Sequence, residues 1–321
     1  MKVLVFGKDG QLGKAFKALF DEISPGLIQR PDIQYIGRAE CDLSNLAAVD
    51  AALNTFQPDL IINCSAYTAV DKAESEVELA YAVNAKAPEL MAAFAVKNNS
   101  TFLHYSTDYV FDGEKYGFYL EDDVRNPLGV YGKSKAAGEE AISKAFAASS
   151  HGQYAIFRTS WVYGDGGNFV RTILRLAKER EELKIIADQY GVPTSAEWLA
   201  KLSLALALNK HGGIKKFPSG IYHAVPSGEA TWHDLGITAV TTALEAGIAL
   251  KVSLSGIKAI AATEYPLPAP RPMNSRMSTD KLRSVLVNSS SYNDPIENPG
   301  FPHWEEMVRD YIRRLAASKL I

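Results

Sequence analysis

Tyr131 and Lys135 lie four residues apart in Tyr131-Gly132-Lys133-Ser134-Lys135, at the head of a helix-forming run over 131–148. That spacing places both side chains on one helical face. A phenol protonates an oxygen that is gaining negative charge, as when hydride adds to a carbonyl, if it lies within hydrogen-bond reach. A free tyrosine, with a pKa of about 10, holds its proton too tightly for easy exchange at neutral pH. An ammonium beside it favours the phenolate and lowers that value. Thr107 stands just past a strand-forming run, in Tyr105-Ser106-Thr107-Asp108-Tyr109, and offers a second donor to the same oxygen. Taken alone, a Tyr and a Lys at this spacing read as a surface helix pair. Thr107 and the glycine loop near the start of the chain favour acid chemistry on a carbonyl.

That loop is Gly7-Lys8-Asp9-Gly10-Gln11-Leu12-Gly13, set between the apolar run Lys2–Phe6 and a helical pattern that begins at Leu12. Strand, glycine loop and helix in this order form the context of a dinucleotide site. Glycines let the backbone approach a pyrophosphate, and the helix start offers free N–H groups and a positive dipole end. Gly7, Asp9, Gly10, Gln11, Leu12 and Gly13 are therefore expected to hold the cofactor. The second strand ends in Gly37-Arg38 instead of a carboxylate. A carboxylate there would hold the ribose 2′-hydroxyl of NAD, whereas an arginine favours the 2′-phosphate of NADP. Arg38 thus points to NADPH, with NADH possible, unless it is only a solvated surface charge. Asp42 and Leu43 follow the strand and could frame the adenine, or Asp42 could simply belong to a turn.

The elements that must carry these groups alternate. Strand patterns at Lys2–Phe6, 34–36, 60–64, 101–105 and 154–157 are interleaved with helical patterns at 12–23, Leu46–Phe56, 76–98 and 131–148. Ser44 or Asn45 could cap the second helix. Such alternation predicts an α/β fold, a doubly wound parallel Rossmann-like sheet covered on both faces, with right-handed crossovers. After Gly164 the pattern changes: helices at 168–180 and 196–208, a short strand at 185–186, dense Pro and Gly, and a closing helix at 304–315. The expected division is a dinucleotide domain over 1–164 and a smaller mixed α/β substrate domain over 165–321, with the helix at 196–208 free to return to the first.

Composition narrows the function classes. The 321 residues carry a net charge of −3 and 47% hydrophobic residues, ordinary values for a globular chain. No basic domain marks a nucleic-acid partner, and no apolar run approaches the roughly 18 residues that would span a bilayer. Cys41 and Cys64, each read as inside or at the edge of a strand, suit a reducing compartment better than a disulfide framework. No signal-peptide pattern precedes the first strand, so a cytoplasmic location is expected. The six histidines are scattered, and no His/Cys cluster has zinc spacing, so no metal is expected.

The chain resembles the family of dTDP-4-dehydrorhamnose reductases along nearly its whole length. The resemblance rests on the glycine loop and on the segments 66–74, 104–111, 131–135, 158–164, 188–194 and 271–276. It implies an extended short-chain dehydrogenase fold that reduces dTDP-4-dehydro-β-L-rhamnose, a dTDP-sugar, to dTDP-β-L-rhamnose. It implies Thr107, Tyr131 and Lys135 as the catalytic set, and Val70, Thr107, Asp108, Tyr109, Tyr131 and Trp161 as the lining of the sugar pocket. Ala66 and Tyr67, on the loop after the fourth strand, would touch the cofactor. Trp161 offers a flat apolar face to a deoxysugar, or fills the core. Arg271 and Arg276 suit a diphosphate, or form structural salt bridges. Asn168 and Gln189 could bond a base or sugar. Some members are magnesium-linked dimers with a glutamate in the first helix. Here Lys14-Ala15-Phe16 occupies that stretch, so the metal is not carried over and the chain is expected as a monomer or homodimer.

Four other readings share the pattern. A sugar 4,6-dehydratase on this plan places an Asp-Glu pair after the threonine, whereas Thr107 is followed here by Asp108-Tyr109. A 4-epimerase, or a ketoreductase for another nucleotide sugar, would keep the same framework. A non-catalytic NADP-binding subunit resembling that of methionine adenosyltransferase would lack the Thr159-Ser160-Trp161 segment present here.

Overall fold

The computed structural model describes residues 1–27, 30–209, 211–289 and 298–321. Its first half runs β1 (Lys2–Phe6), α1 (Gln11–Ile23), β2 (Asp32–Ile36), α2 (Leu46–Phe56), β3 (Leu60–Asn63), α3 (Val70–Ala73) and α4 (Val77–Tyr81). A π-helical turn (Ala82–Lys86) leads into α5 (Ala87–Lys97), then β4 (Thr101–Thr107), α6 (Val130–Ala147) and β5 (Gln153–Thr159). The second half comprises β6 (Val162–Tyr163), α7 (Phe169–Glu179), β7 (Leu183–Ile186), β8 (Tyr190–Gly191), β9 (Thr194–Ser195) and α8 (Ala196–Ala207). It ends with β10 (Gly220–His223), β11 (Ala230–Thr231), α9 (Trp232–Glu245), β12 (Ile257–Ile260), α10 (Asp280–Ser289) and α11 (Trp304–Ala317).

Six strands pair in the order β10-β5-β4-β3-β1-β2, every pair parallel. The strand runs are apolar on both faces because both are covered. Val3 and Val5 face one core with Leu103, Phe157, α1 and α8. Leu4 and Phe6 face the other with Ile61, Phe102, α2 and α5. A separate core forms around Val170, Leu174, Leu235, Ala239, Val308 and Ile312, from α7, α9 and α11. The chain beyond Gly164 also serves the main sheet: β10 forms its edge, and α8 packs on α1 and α10. No helix among the described residues is long and apolar enough to cross a membrane.

Local details depart from the sequence reading. The second strand begins two residues earlier than expected, at Asp32, because Met1 O accepts the Asp32 N–H and extends the ladder. The single helix expected over 76–98 is broken into α4, the π turn and α5. Asn45, not Ser44, caps α2, accepting from the Ala48 N–H, while Ser44 bonds Asp42 instead. Cys41 sits in the turn segment after β2, outside any strand. Ala66 and Tyr67 follow the third strand, β3, rather than the fourth.

Candidate active site

From β1 the chain crosses to β2 on one side, and the next strand, β3, returns on the other. Ligands of open α/β sheets bind at such a switch point, beyond the carboxyl ends of the strands. A cavity of about 780 Å³ opens there, between the loops after β1, β2, β3, β4 and β5.

Its first half is the glycine loop. Gly7 has φ 88°, a left-handed conformation costly for any residue with a Cβ. A Cβ at Gly7 would lie 2.8 Å from Ser65 Oγ, and one at Gly13 only 2.1 Å from Gly7 O. Gly13 therefore packs the helix onto the turn and does not line the cavity, whereas Gly7, Asp9, Gly10, Gln11 and Leu12 do. The N-terminus of α1 has no side-chain cap and no acidic residue in its first turn, which leaves its donors to an anion. Arg38, Asp42 and Leu43 continue the wall. Arg38 is 79% exposed and reaches Asp42 Oδ2 at 3.3 Å. The Ser44 N–H and hydroxyl hold the Asp42 carboxyl below its ordinary range, with Arg38 adding to the effect.

Ala66 and Tyr67 line the middle. Asn84, in the π turn, fixes this loop. Its Oδ1 accepts the Tyr67 N–H at 2.9 Å, and its Nδ2 donates to Tyr67 O at 3.1 Å and to Ser134 Oγ at 3.0 Å. Ser134 lies between Tyr131 and Lys135 on α6, so one amide joins the loop to the helix that carries both. The cavity wall also holds the hydroxyls of Ser106 and Thr159, buried and without a protein partner among the described residues. A glycine cradle, an uncapped helix start and orphaned hydroxyls together fit a bound dinucleotide.

The far half gathers Thr107, Asp108, Tyr109, Tyr131 and Lys135. Thr107 ends β4, and its hydroxyl donates to Asp108 Oδ1 at 3.0 Å and accepts the Tyr109 N–H at 3.2 Å. Burial raises Tyr131 to about 12, partly opposed by the Thr107 hydroxyl. The lowering expected from Lys135 is absent. Lys135 Nζ turns instead to Tyr105 O at 2.5 Å and His104 Nε2 at 3.3 Å. Burial brings Lys135 down to about 8, against the pull of Glu139. Burial likewise lifts Asp108 to about 6. The site thus stores a protonated phenol beside an amine poised near neutrality.

Val70 and Trp161 complete the predicted wall. Trp161 has φ 48°, uncommon for a bulky residue and a mark of strain held by its surroundings. Its ring stacks on Trp232 with centroids 3.7 Å apart and planes at 16°. Gly191 leaves it room: a Cβ there would lie 2.6 Å from Trp161 Cε2 and Cζ2. Trp232 also lines the cavity and was missed in the sequence, because no spacing links positions 161 and 232. Ser106 and Thr159 were given no site role from the sequence, although both lie inside the marked segments 104–111 and 158–164.

Besides Gly13, four predicted residues lie away from the cavity wall. Asn168 caps α7, accepting the Arg171 N–H, and its amide donors turn to Gln11 Oε1, Gly164 O and Tyr311 Oη. Gln189 is 7% exposed within the second half. Arg271 forms a fork with Asp71 at 2.8 and 3.0 Å. Arg276 pairs with Glu229 at 2.9 Å. Both arginines thus form the salt bridges that the sequence left open as their alternative role.

The family model of the RmlD substrate binding domain matches residues 1–314. The chain is 43% identical over 290 residues to the dTDP-4-dehydrorhamnose reductase of Escherichia coli K12, covering 88% of this chain and 91% of that one. The crystal structure of a dTDP-4-dehydrorhamnose reductase from Clostridium acetobutylicum superposes with a TM-score of 0.82 at 31% identity, over 98% of this chain and 99% of that one. The Bacillus anthracis dTDP-4-dehydrorhamnose reductase, solved in complex with NADP, gives 0.80 at 31% identity with the same coverage.

Proposed function

Because this chain belongs to the dTDP-4-dehydrorhamnose reductase family, we propose that it reduces the 4-keto group of dTDP-4-dehydro-6-deoxy-L-mannose to the alcohol of dTDP-L-rhamnose. NADPH is the preferred hydride donor and NADH an alternative. The observation that carries this reading is a single cavity with a glycine cradle at one end and Thr107, Tyr131 and Lys135 at the other.

Bound NADPH supplies the hydride. Gly7, Asp9, Gly10, Gln11 and Leu12 would hold its pyrophosphate, Arg38 its 2′-phosphate, Asp42 and Leu43 its adenine, and Ala66 and Tyr67 its middle. Val70, Asp108, Tyr109 and Trp161 would enclose the sugar. As the carbonyl oxygen becomes an alkoxide, it grows more basic than a phenolate. Tyr131, kept protonated by burial, then donates its proton from the phenolic oxygen. Thr107 gives a second hydrogen bond to the same oxygen, and Lys135 in its ammonium form steadies the phenolate left behind. Residues 1–164 form the cofactor part in this reading, and most of 165–321 the sugar part.

The test is NADPH oxidation by purified protein against a panel of dTDP-4-ketosugars, with product stereochemistry read by NMR. Tyr131→Phe should cut turnover about a hundredfold or more, as for loss of a general acid, with NADPH affinity retained. No oxidation by the wild type, or near-wild-type turnover in the variant, overturns the reading.

A further inference from the structure

Behind the catalytic wall lie two buried polar residues with no part in the chemistry above, Asn63 at the end of β3 and His104 on β4. The Ser65 N–H points at Asn63 Oδ1 at 3.1 Å. A backbone N–H only donates, so the atom facing it is the amide oxygen, and this fixes the orientation of the amide. Asn63 Nδ2 then faces His104 Nδ1 at 3.1 Å. An amide nitrogen only donates, so His104 Nδ1 accepts and carries no proton. Burial keeps this imidazole neutral. A neutral ring with a bare Nδ1 carries its proton on Nε2, and that N–H faces Lys135 Nζ at 3.3 Å.

An ammonium in this position would set N–H against N–H. A neutral amine satisfies both neighbours: its lone pair accepts from His104 Nε2–H, and one of its own N–H groups donates to Tyr105 O at 2.5 Å. We propose that Asn63 and His104 are positioning residues that hold the imidazole as its Nε2–H tautomer and thereby favour the neutral amine of Lys135 over its ammonium while Nζ faces them. Lys135 becomes the ammonium when Nζ turns from His104 into the cavity. The inference rests on the assignment of Lys135 to catalysis. Glu139, one turn on along α6, is the charged group acting on Lys135, and Tyr131, one turn back, shares the cavity wall with it. Glu139 favours the ammonium, but its carboxylate is engaged by Arg158 at 2.7 Å and by Arg125 at 3.4 Å.

The experiment begins on the wild type. A two-bond ¹H–¹⁵N correlation spectrum of histidine-labelled protein should show His104, assigned by its loss in His104→Gln, as the Nε2–H tautomer. The Asn63→Asp variant presents only acceptors, one to Ser65 N–H and one to His104, and should move the proton to Nδ1. Lys135, followed by NMR of labelled lysine, should then titrate about one pH unit or more higher. In a His104→Gln background the same substitution adds the charge without the imidazole, and at least half of the shift should vanish. The basic limb of the kcat–pH profile should move in the same direction. A wild-type Nδ1–H tautomer, or an equal Lys135 shift in both backgrounds, overturns the proposal. The tautomer and the lysine titration are read without turnover, so a protein lacking reductase activity would refute the proposed function while leaving this test intact.

Discussion

Gly191→Ala tests how the sugar side of the cavity is built. The new Cβ would stand 2.6 Å from Trp161 Cε2 and Cζ2 and 3.0 Å from Nε1. Carbon atoms rest at about 3.5–4.0 Å, so the indole must yield by roughly 1 Å. Its retreat is limited, because the backbone is already at φ 48° and Trp232 is stacked on the ring at 3.7 Å. Overpacking of this kind costs about 1–3 kcal/mol of stability. A displacement of about 1 Å at a substrate-positioning group costs about a hundredfold in rate. The assay is steady-state NADPH oxidation with the ketosugar varied, beside NADPH affinity by fluorescence. The expected outcome is kcat/KM lower by about a hundredfold, with NADPH affinity unchanged. A Trp161→Phe background removes the atoms that clash, so there the same substitution should cost far less. An unchanged kcat/KM, or an equal loss in both backgrounds, would refute the reasoning.

Two further outcomes follow from other parts of the molecule. Arg38→Ala should weaken NADPH by about tenfold, the value of one charge-assisted hydrogen bond, and leave NADH nearly untouched; equal effects on the two dissociation constants would return Arg38 to a surface charge. Its exposed pair with Asp42 contributes little to the fold, so the urea midpoint should stay put. His223 is buried beside Arg158, and burial first, then that charge, lowers it from an ordinary value near 6.5 to about 3. Between those values the unfolded chain binds a proton that the native state refuses, so stability falls as pH drops below about 6.5. Between pH 7 and 5 the wild type should lose about 2 kcal/mol more than His223→Gln, at about 1.4 kcal/mol per pH unit, measured by urea unfolding. An equal loss in both proteins would dismiss His223 as the source.

The sequence made the sheet legible because each strand is an apolar run closed by a glycine or polar turn, and each helix shows its own period. The cradle and the Thr107, Tyr131 and Lys135 set were legible for a related reason: each group is local, with its motif lying on one strand–loop–helix junction. What escaped was created by long-range contact. Nothing near Arg271 announces that Asp71, 200 positions earlier, closes its fork. Nothing near Trp161 announces Trp232. The edge strand β10 was hidden because its four residues, Gly220–His223, lie among prolines and become a strand only through pairing with β5. The charge expected beside Tyr131 failed for a different reason: proximity in sequence placed Lys135 on the right face, but burial and the acceptors behind β4 decide where its Nζ points.

The π turn at Ala82–Lys86 bears on how this enzyme tolerates change. Each residue of an α-helix advances by about 100°, so a wider turn with one added residue offsets everything before it from everything after it. Asn84 sits inside that offset. Losing one residue there would leave an ordinary helix, easily folded, yet its amide would swing about a quarter-turn away from Tyr67 and Ser134. The exposed faces of α4 and α5 are therefore free to vary, but the length of the segment between them is held by the bonds Asn84 makes to Tyr67 and Ser134.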